Sequence, residues 1–282
     1  MKFAWSNTDS FDKADVVLVG VPDETGSYAT RKGSSKAPDA IRKVSNEREV
    51  FERRGMKTVA LSQICPINKN IYDYGNIAKG DVSKVIEKIT SEDKIPVTVG
   101  GDHSITAEVL KGIDKVREHI SVVYIDSHPD FICSSREYYG SVVCDISEYK
   151  NVDFSSSIEI GVRAPEPEEL INLRRKYLKI ISAIDVEAIG LKNVIEKVKD
   201  GVGENIYVSM DMDVVDPAFA PGVSSPVPAG LTSNQLLYFM TEIAKLGIIG
   251  FDVMEVCPEY DIQDMTSHLA ARVIIETISC IR

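Results

Sequence analysis

Groups able to bind a cation are crowded into one short segment, YIDSHPDF, at residues 124–131. Asp126, His128 and Asp130 occupy every second position there. Residues two apart in an extended segment project to the same side, so we expect these three side chains to converge. Two carboxylates and an imidazole in one place are typical metal ligands.

Two further segments supply donors of the same kind. His103 lies in GGDHS, and Asp211 and Asp213 lie in SMDMD. Ionised carboxylates held together would repel one another and raise their pKa values, a conflict that one divalent cation relieves and two relieve better. Six donors suffice for two ions if one or two aspartates bridge. The predicted ligands are His103, Asp126, His128, Asp130, Asp211 and Asp213.

The donor types restrict the metal. The set mixes nitrogen and oxygen donors without a thiolate, which suits Mn²⁺ and leaves Fe, Co, Ni and Zn open. Gly100 and Gly101 are predicted to let the backbone turn tightly before His103. The chain contains neither a GxGxxG or GxxxxGKS phosphate pattern nor a GxSxG nucleophile elbow.

Other polar residues near these motifs have simpler explanations. Asp102 and Asp216 are predicted to cap a helix or a turn. His119 and His268 are predicted to be hydrogen-bonded polar residues, with His268 the nearer of the two to a rim loop. The six-residue donor set, by contrast, has no ready structural explanation.

Short runs rich in valine and isoleucine alternate along the chain with longer segments of helical character. This alternation predicts a three-layer α/β fold of one domain, residues 1–282, with helices on both faces of a mostly parallel, eight-stranded sheet. The predicted strands are 16–20, 57–61, 96–101, 121–126, 158–163, 179–183, 205–211 and 248–256. The predicted helices are 37–53, 81–93, 104–118, 165–176, 184–200, 232–246 and 264–280.

The predicted sheet would bring the donor segments together. In open parallel sheets, ligands bind beyond the carboxyl ends of the strands. GGDHS follows PVTV, DSHPD follows VVYI, DMDVVDP follows IYVSM, and EVCPEYD follows GFDVM. Four strand ends are therefore predicted to deliver carboxylates or imidazoles to one rim.

Bulk composition argues against several classes of function. The 282 residues are 44% hydrophobic, enough for a sizeable core, and the net charge of −11 disfavours a nucleic-acid partner. No apolar run approaches the ~18 residues of a membrane span, and the N-terminus is too polar for a signal peptide. The five cysteines are scattered without a CxxC pair, so we predict reduced thiols and a cytoplasmic location.

These motifs, in this order, resemble those of the ureohydrolase family of arginases and agmatinases over nearly the whole chain. The resemblance rests on VGVPDETGSYATRKGSSKAPDAIR, DYGN, GGDHSIT, DSHPD, IGVR, SMDMDVVDPAFAPGVSSPVPAGLT and FDVMEVCPEYD. It implies an arginase-like fold and two manganese ions that share Asp126 and Asp211. One ion would also be bound by His103 and Asp130, and the other by His128 and Asp213.

The resemblance also implies a reaction. Water activated at the metals would attack the carbon of a guanidinium group, Asp130 would transfer protons, and Glu255 would pair with the guanidinium. The products would be urea and an amine.

The chain departs from the family pattern in two places. The usual DAHxD reads DSHPD, and the change falls on Ser127, which is not a predicted ligand. The family commonly carries a His-Gly pair in its active-site loop, whereas this chain has Tyr139-Gly140 in REYYGSVVCD. A phenol with a pKa near ~10 is a poorer proton shuttle than imidazole, but it can donate a hydrogen bond or stack on a planar cation.

The loop FICSSREYYG is short and lacks the Asn-rich pattern with which arginases bind the amino-acid end of arginine. We therefore rank agmatine first as substrate, with urea and putrescine as products. Guanidinobutyrase, arginase, formimidoylglutamase and a metal-binding homologue with weak or no turnover stay as alternatives. A single-zinc deacetylase fits SMDMD less well. The resemblance also implies a homo-oligomer, either trimer or hexamer.

Overall fold

The computed structural model describes residues 1–47, 52–53, 56–57 and 68–282. One sheet of eight strands lies at its centre, in the order β2-β1-β3-β8-β7-β4-β5-β6, and all its neighbouring strands are parallel. The strands are β1 (Val16–Gly20), β2 (Ile71–Asn76), β3 (Ile95–Val99), β4 (Ile120–Ile125), β5 (Ile158–Val162), β6 (Lys179–Ser182), β7 (Asn205–Met210) and β8 (Ile248–Val253).

Nine α-helices fall within the described ranges. Several begin at a side chain that caps the first turn; Thr232, for example, accepts the backbone N–H of Gln235 at the start of the helix Ser233–Ala244. The helices are α1 (Ala37–Ser45), α2 (Val82–Ser91), α3 (Ile105–Ile113), α4 (Val142–Ile146), α5 (Pro167–Lys176), α6 (Ala183–Ile189), α7 (Leu191–Gly201), α8 (Ser233–Ala244) and α9 (Met265–Cys280).

The helices cover both faces of the sheet. Val16 and Leu18 of β1 belong to the hydrophobic cluster that contains α1, α6, α7, α8 and α9. Val17 and Val19 belong to the opposite cluster, with α2, α3, α4 and α5. Successive residues of a strand point to opposite faces, so a strand buried on both faces is apolar throughout. The predicted three-layer α/β architecture is confirmed. The sheet was predicted to be mostly parallel, and all of its strand pairs are parallel.

One edge of the sheet differs from the prediction. Most of the strand predicted over 57–61 lies outside the described residues, and Met56–Lys57 pairs with Glu52–Arg53 in a separate two-stranded ribbon. The eighth strand is Ile71–Asn76, which the sequence analysis treated only as the DYGN motif. Its solvent-exposed positions and its Gly75, at φ 89°, weaken the apolar signal of a buried strand.

The DYGN motif has a structural role in this edge strand. Arg42 of α1 is 3% exposed and binds Asp73 through two hydrogen bonds, Nε to Oδ2 and Nη2 to Oδ1, each 2.9 Å long. Asp73 also accepts the backbone N–H of Phe3 at 2.7 Å. Burial by itself would raise the pKa of Asp73, but Arg42 holds it below its ordinary value. The motif therefore fastens α1 and the N-terminal segment to β2.

Helix ends also differ from the prediction. The segment predicted as one helix over 184–200 forms two, because Gly190 takes φ 81° between α6 and α7. Helix α3 stops at Ile113, so His119, at φ 51°, lies outside the helix predicted over 104–118. The part of the predicted helix 37–53 beyond Ser45 is not helical where the structure describes it, and α4 was not predicted.

The prediction that all five cysteines are reduced thiols is wrong. Cys133 and Cys144 form a disulfide, with their Cα atoms 5.6 Å apart. The loop between them folds back on itself, and the N–H of Ile132 donates to the carbonyl of Gly140 at 3.0 Å. That closure cannot be read from a spacing of 11 residues. Cys257 is buried and is not part of this bridge, and Cys65 lies outside the described residues.

In the part of the chain that the structure describes, no helix combines the length and apolar character needed to cross a bilayer.

Gly100 and Gly101, which follow β3, are needed for close packing. A Cβ on Gly101 would lie 1.8 Å from the carbonyl oxygen of Asp23, and one on Gly100 would lie 2.0 Å from Sδ of Met254. Neither glycine has a positive φ, so the predicted reason, conformational freedom in a tight turn, is wrong. Their lack of side chains lets the segment before His103 pass close to two neighbouring segments.

Candidate metal centre

The first group of donors surrounds His103, which follows β3. Its Nδ1 lies 2.9 Å from Asp126 Oδ2 and 3.3 Å from both Asp130 Oδ2 and Asp211 Oδ2. The donor atoms of His103, Asp126 and Asp211 all lie within 4.8 Å of one another, close enough to bind one ion. These donors come from the ends of β3, β4 and β7, which the sheet order brings to one rim.

The second group surrounds His128. Its Nδ1 lies 3.0 Å from Asp213 Oδ2 and 3.6 Å from Asp126 Oδ1. The donor atoms of Asp126, His128 and Asp213 also lie within 4.8 Å of one another. Asp126 thus belongs to both groups, while Asp211 belongs to the first group only. The side chain of His128 is 29% exposed, so this group is the more open to solvent.

The structure brings all six predicted ligands together, but the reason given for their convergence is wrong. The segment after β4 is not extended: the N–H of His128 donates to Asp126 Oδ1 at 2.6 Å, and Asp130 takes φ 48°. After β7, the N–H of Asp213 donates to Asp211 Oδ1, also at 2.6 Å. Tight turns closed by the ligands' own oxygens therefore aim these side chains.

The sequence analysis missed Tyr124 and Ser209, which contact the ligands from the strands. The Tyr124 hydroxyl donates to Asp130 Oδ2 at 2.6 Å, and its ring stacks on His103 with centroids 4.7 Å apart. Ser209 Oγ lies 2.9 Å from His103 Nε2. Tyr124 lies two positions before Asp126, and Ser209 lies two positions before Asp211. Residues two apart in a strand point to the same face, so this spacing could have identified both residues from the sequence.

Asp252 of β8 fixes which nitrogen of His103 carries the proton. The hydroxyl of Ser209 donates to Asp252 Oδ1 at 3.0 Å, so it accepts from Nε2–H of His103. In the neutral imidazole Nδ1 keeps its lone pair, which faces the carboxylate oxygens of the first group. Burial by itself would lower the pKa of His103, but Asp126, Asp130 and Asp211 raise it well above its ordinary value, so in the absence of a cation these carboxylates favour a proton on Nδ1. Asp252 also accepts the hydroxyl of Tyr207 at 2.6 Å, which holds it in place.

The electrostatics of the rim reflect the crowding of carboxylates. Burial raises the pKa of Asp211 well above its ordinary value and, with the charge of Asp126, raises the pKa of Asp130 to about 6. Burial by itself would lower the pKa of His128, but Asp213 and Asp126 raise it to about 12. Each group is thus pushed toward the protonation state that reduces the excess negative charge.

The donors fit divalent cations. Asp126 Oδ2 is buried and has no hydrogen-bond partner among the described residues, although His103 Nδ1 lies only 2.9 Å away. A lone pair and several carboxylate oxygens facing one another are repulsive unless a proton or a metal cation lies between them, and a metal cation can take the place of the proton. Nitrogen and oxygen donors without a thiolate suit Mn²⁺ among the first-row metals.

Glu255 lies against the first group. Its Oε1 accepts the backbone N–H of His103 at 2.9 Å, while its Oε2 is buried and forms no hydrogen bond of regular geometry among the described residues. The Ser224 hydroxyl nevertheless lies close enough to lower the pKa of Glu255. Burial raises the pKa of Glu255 to about 8, and the charge of Asp102 adds to this. The residue takes φ 65°, a strained backbone conformation for a side chain of this size. A positively charged partner would satisfy the free oxygen.

Tyr139 lies in the loop after Asp130 and is half-buried. Its backbone N–H donates to the carbonyl of Gly26 at 3.0 Å. Burial raises the pKa of its phenol, and the charges of Glu255 and Asp130 raise it further. The ring of the adjacent Tyr138 lies 5.6 Å from that of Tyr139, so two tyrosines rather than one lie in this loop beside the site.

The residues predicted to be structural have structural contacts. Asp102 accepts the backbone N–H groups of Gly26 and Ser104, at 2.8 and 2.9 Å. Asp216 accepts three backbone N–H groups within its loop, including that of Ala218 at 2.9 Å. His268 lies on α9 with its Nε2 3.2 Å from Glu47 Oε2.

Comparisons with known proteins agree with this architecture. The family described as Arginase family matches residues 14–280. The chain is 32% identical to proclavaminate amidinohydrolase of Streptomyces clavuligerus, covering 94% of this chain and 87% of that protein. It is 30% identical to an agmatinase of Neisseria meningitidis, covering 94% and 86%. The solved agmatine ureohydrolase of Thermoplasma volcanium superposes with a TM-score of 0.83 at 27% identity, covering 99% and 93%.

Proposed function

Because the chain belongs to the arginase family, we propose that it is a metal-dependent ureohydrolase that cleaves agmatine to urea and putrescine. One observation carries the proposal: two donor groups share Asp126, and a buried carboxylate oxygen of Glu255 without a partner lies beside them. The first arrangement suits a pair of cations, and the second suits the guanidinium of a substrate.

The metals belong to the proposal. His103, Asp126, Asp130 and Asp211 would hold one Mn²⁺, and Asp126, His128, Asp211 and Asp213 would hold the other. The contact of Asp211 with the second ion rests on the family resemblance, because its donor atom groups with His103 and Asp126. When bound, the ions would neutralise the carboxylates and lower the pKa of a water molecule that attacks the guanidinium carbon. The sharing of Asp126 by both donor groups supports the pairing of the ions.

Glu255 orients the substrate in this proposal. A carboxylate forms strong, paired hydrogen bonds with a guanidinium, and burial strengthens the attraction because little water competes. The N–H of His103 holds Oε1 in place, so Oε2 stays directed to the substrate. The guanidinium carbon is thereby fixed beside the metal ligands.

Asp130 transfers protons. Without bound ions, burial and the charge of Asp126 raise the pKa of Asp130 to about 6, which supports its role as a proton carrier, and a bound cation would lower this pKa. The hydroxyl of Tyr124, 2.6 Å from Oδ2, keeps the group oriented. Asp130 would take a proton from the attacking water and deliver one to the departing amine. Tyr139 would contact the substrate chain at the position where the family commonly has histidine.

The choice of agmatine rests on two observations. The loop after Asp130 lacks the Asn-rich pattern that would bind the amino-acid end of arginine. Agmatinases are also among the relatives at 30% identity over most of both chains. Similarity to a proclavaminate amidinohydrolase makes a guanidino acid the second candidate substrate. Guanidinobutyrate, arginine and formimidoylglutamate are the remaining family substrates to be compared.

Urea release tests the function. Purified protein loaded with Mn²⁺ should release urea from agmatine with a higher kcat/KM than from arginine or 4-guanidinobutyrate. Protein that holds two metal ions in each chain and releases urea from none of these compounds would contradict the proposed function.

Glu255→Gln is the matched variant for this assay. It keeps the size of the side chain and removes the charge that pairs with the guanidinium. We expect kcat/KM to fall about 10- to 100-fold, corresponding to roughly 1.5–3 kcal/mol, while the metal content stays unchanged. A normal kcat/KM would remove Glu255 from the substrate site.

Three further parts of the proposal concern the whole protein. We propose that residues 1–282 form one domain, that the protein is cytoplasmic and that it forms a trimer or a hexamer. The Cys133–Cys144 bridge argues against the cytoplasmic location, because disulfides are rare in that compartment, so the location rests on the resemblance to the family. Limited proteolysis, cell fractionation and light scattering test them in turn. A monomer in light scattering would contradict the last.

A further inference from the structure

Three tyrosine rings meet where two loops come together beside the site. The ring centroids of Tyr28 and Tyr138 are 5.4 Å apart, those of Tyr138 and Tyr139 are 5.6 Å apart, and those of Tyr28 and Tyr139 are 6.5 Å apart. Two of the pairs are tilted, at 44° and 58°, and Tyr138 and Tyr139 meet edge to face at 86°, so no pair is stacked face to face. Tyr28 is 73% exposed, which opens the cluster to solvent.

Both loops are fastened to the candidate metal centre. The N–H of Gly26 donates to Asp102, next to His103, at 2.8 Å. The N–H of Tyr139 donates to the carbonyl of Gly26, which joins the two loops. The N–H of Val143 donates to the carbonyl of Asp130 at 2.9 Å, which closes the second loop. The three rings are therefore positioned relative to the ligands.

Acidic side chains surround the three rings. One of them is Glu255, the residue proposed to pair with the guanidinium of the substrate. Tyr139 is joined through Gly26 to Asp102, the neighbour of His103, and the N–H of His103 donates to Glu255. Burial and then the charge of Glu255 raise the pKa of Tyr139. Burial, Asp130 and Glu166 raise the pKa of Tyr138 to about 12. A substrate whose guanidinium pairs with Glu255 would run past Tyr139 toward the outer two rings.

The two cationic side chains that follow Tyr28 in its loop are engaged elsewhere. The guanidinium of Arg31 lies over the ring of Tyr260, 5.1 Å from its centroid. Lys32 Nζ donates to the carbonyl of Ser27 at 2.6 Å. A substrate ending in a carboxylate would therefore meet carboxylates and the negative faces of aromatic rings.

We propose that Tyr28, Tyr138 and Tyr139 form an aromatic cage that binds a cationic group at the end of the substrate remote from the guanidinium. This inference rests on the proposed ureohydrolase function. A cation is attracted to the face of a ring when it lies within about 6 Å of the centroid. The centroid separations let one ammonium group interact with more than one ring. The cage therefore selects guanidino amines over guanidino acids.

Three substrates of similar length test the cage. Agmatine ends in an ammonium, pentylguanidine replaces that group by a methyl, and 4-guanidinobutyrate ends in a carboxylate. For each, kcat/KM is measured from urea release with the Mn²⁺-loaded protein. The variants are Tyr28→Leu and Tyr138→Leu, which remove one ring each. Tyr238→Leu on α8 is the control, because this surface tyrosine is 39% exposed and is not part of the cluster.

We expect wild type to prefer agmatine to pentylguanidine and to use 4-guanidinobutyrate least. Each cage variant should lower the ratio of kcat/KM for agmatine to that for pentylguanidine by about 3- to 30-fold, mainly through KM. Tyr28→Phe, which keeps an aromatic face, should retain most of the preference. The Tyr238→Leu ratio should equal that of wild type.

Two results would overturn the cage while leaving the proposed function intact. One is a wild-type preference for 4-guanidinobutyrate, and the other is an equal loss for agmatine and pentylguanidine in the cage variants. If no compound is hydrolysed, the proposed function is wrong. Titration calorimetry of agmatine and pentylguanidine binding still tests whether the cage exists. In that case Tyr28→Leu must weaken agmatine binding more than pentylguanidine binding, and equal weakening would overturn it.

Discussion

Each of three aspartates at the rim uses its two oxygens for different purposes. One oxygen of Asp126, Asp211 and Asp213 accepts a backbone N–H, from His128, Asp213 and Ser127 respectively. The other oxygen of each faces a histidine nitrogen, at 2.9 to 3.3 Å. Because the first bond fixes the carboxylate plane, the second oxygen is aimed before any ion binds.

The shared position of Asp126 predicts a difference between two variants. Asp126→Asn should lower the manganese content for both donor groups, because this residue belongs to each. Asp213→Asn should affect only the group around His128. Metal analysis of Mn²⁺-loaded protein would then give fewer ions per chain for Asp126→Asn than for Asp213→Asn. Equal contents in the two variants would contradict the shared role, provided that circular dichroism shows both are folded.

Glu159 on β5 is a buried carboxyl whose two oxygens have no hydrogen-bond partner among the described residues. Burial, with the charges of Asp126 and Asp130, raises its pKa well above the ordinary 4.5. The folded chain therefore holds this proton more tightly than the unfolded chain. Its contribution to the free energy of unfolding is complete below pH 4.5 and is lost as pH rises toward the folded pKa.

Glu159→Gln should remove this pH dependence while keeping the size of the side chain. Relative to wild type, the variant should gain about 1.4 kcal/mol in free energy of unfolding for each pH unit above the ordinary pKa. Urea denaturation of both proteins at pH 5, 6 and 7 measures the difference. Parallel curves would show that Glu159 is ionised in the folded protein.

At the scale of elements, the loop between β4 and α4 carries both Tyr138 and Tyr139. The disulfide between Cys133 and Cys144 closes this loop, and Glu168 of α5 accepts the N–H groups of Cys133 and Ser134, each at 2.8 Å. The loop is therefore held from both ends. The conformation of this loop therefore depends on a covalent bond as well as on hydrogen bonds.

Removing the bridge should affect both stability and substrate affinity. A Cys133→Ser, Cys144→Ser double variant should lose about 2–4 kcal/mol in free energy of unfolding and should show a raised KM for agmatine. A mild reductant should produce the same changes in wild type and none in the double variant, which controls for effects of the serines. Mass spectrometry showing Cys133 and Cys144 both as free thiols in active wild type would contradict the bridge.

At the scale of the whole molecule, the parallel sheet gathers ligands that are distant in sequence. The N–H of His103 and Oε1 of Glu255 form a hydrogen bond across 152 positions. Four strand ends place buried carboxylates around one rim, and their mutual repulsion opposes folding in the absence of cations. Metal binding should therefore stabilise the entire fold rather than a single loop.

Chelation tests this coupling. Removing metals with EDTA should lower the melting temperature by about 5–10 °C, since an ion at 100 times its Kd contributes roughly 2.7 kcal/mol. Mn²⁺ added back should restore it. Asp126→Asn is the control and should respond little to EDTA. An unchanged melting temperature in wild type, with metal loss verified by analysis, would show that the fold does not depend on the ions.

The types and spacing of residues along the chain were sufficient to predict most of the strands, the candidate metal ligands and the family. Apolar runs identified seven of the eight sheet strands, because strands buried on both faces must be apolar throughout. The motifs at their ends identified the six donors, and their order identified the family. The edge strand Ile71–Asn76 was missed because its exposed positions and glycine resemble a loop.

Only the tertiary structure decided how distant residues meet. It shows that Asp126 belongs to both donor groups, that Tyr124 and Ser209 support His103, and that Cys133 and Cys144 are joined. It also brings the ring of Tyr28 into contact with those of Tyr138 and Tyr139. The reason is physical: a residue's type and spacing limit which contacts it can make, but the packing of the sheet and its loops determines which of them form.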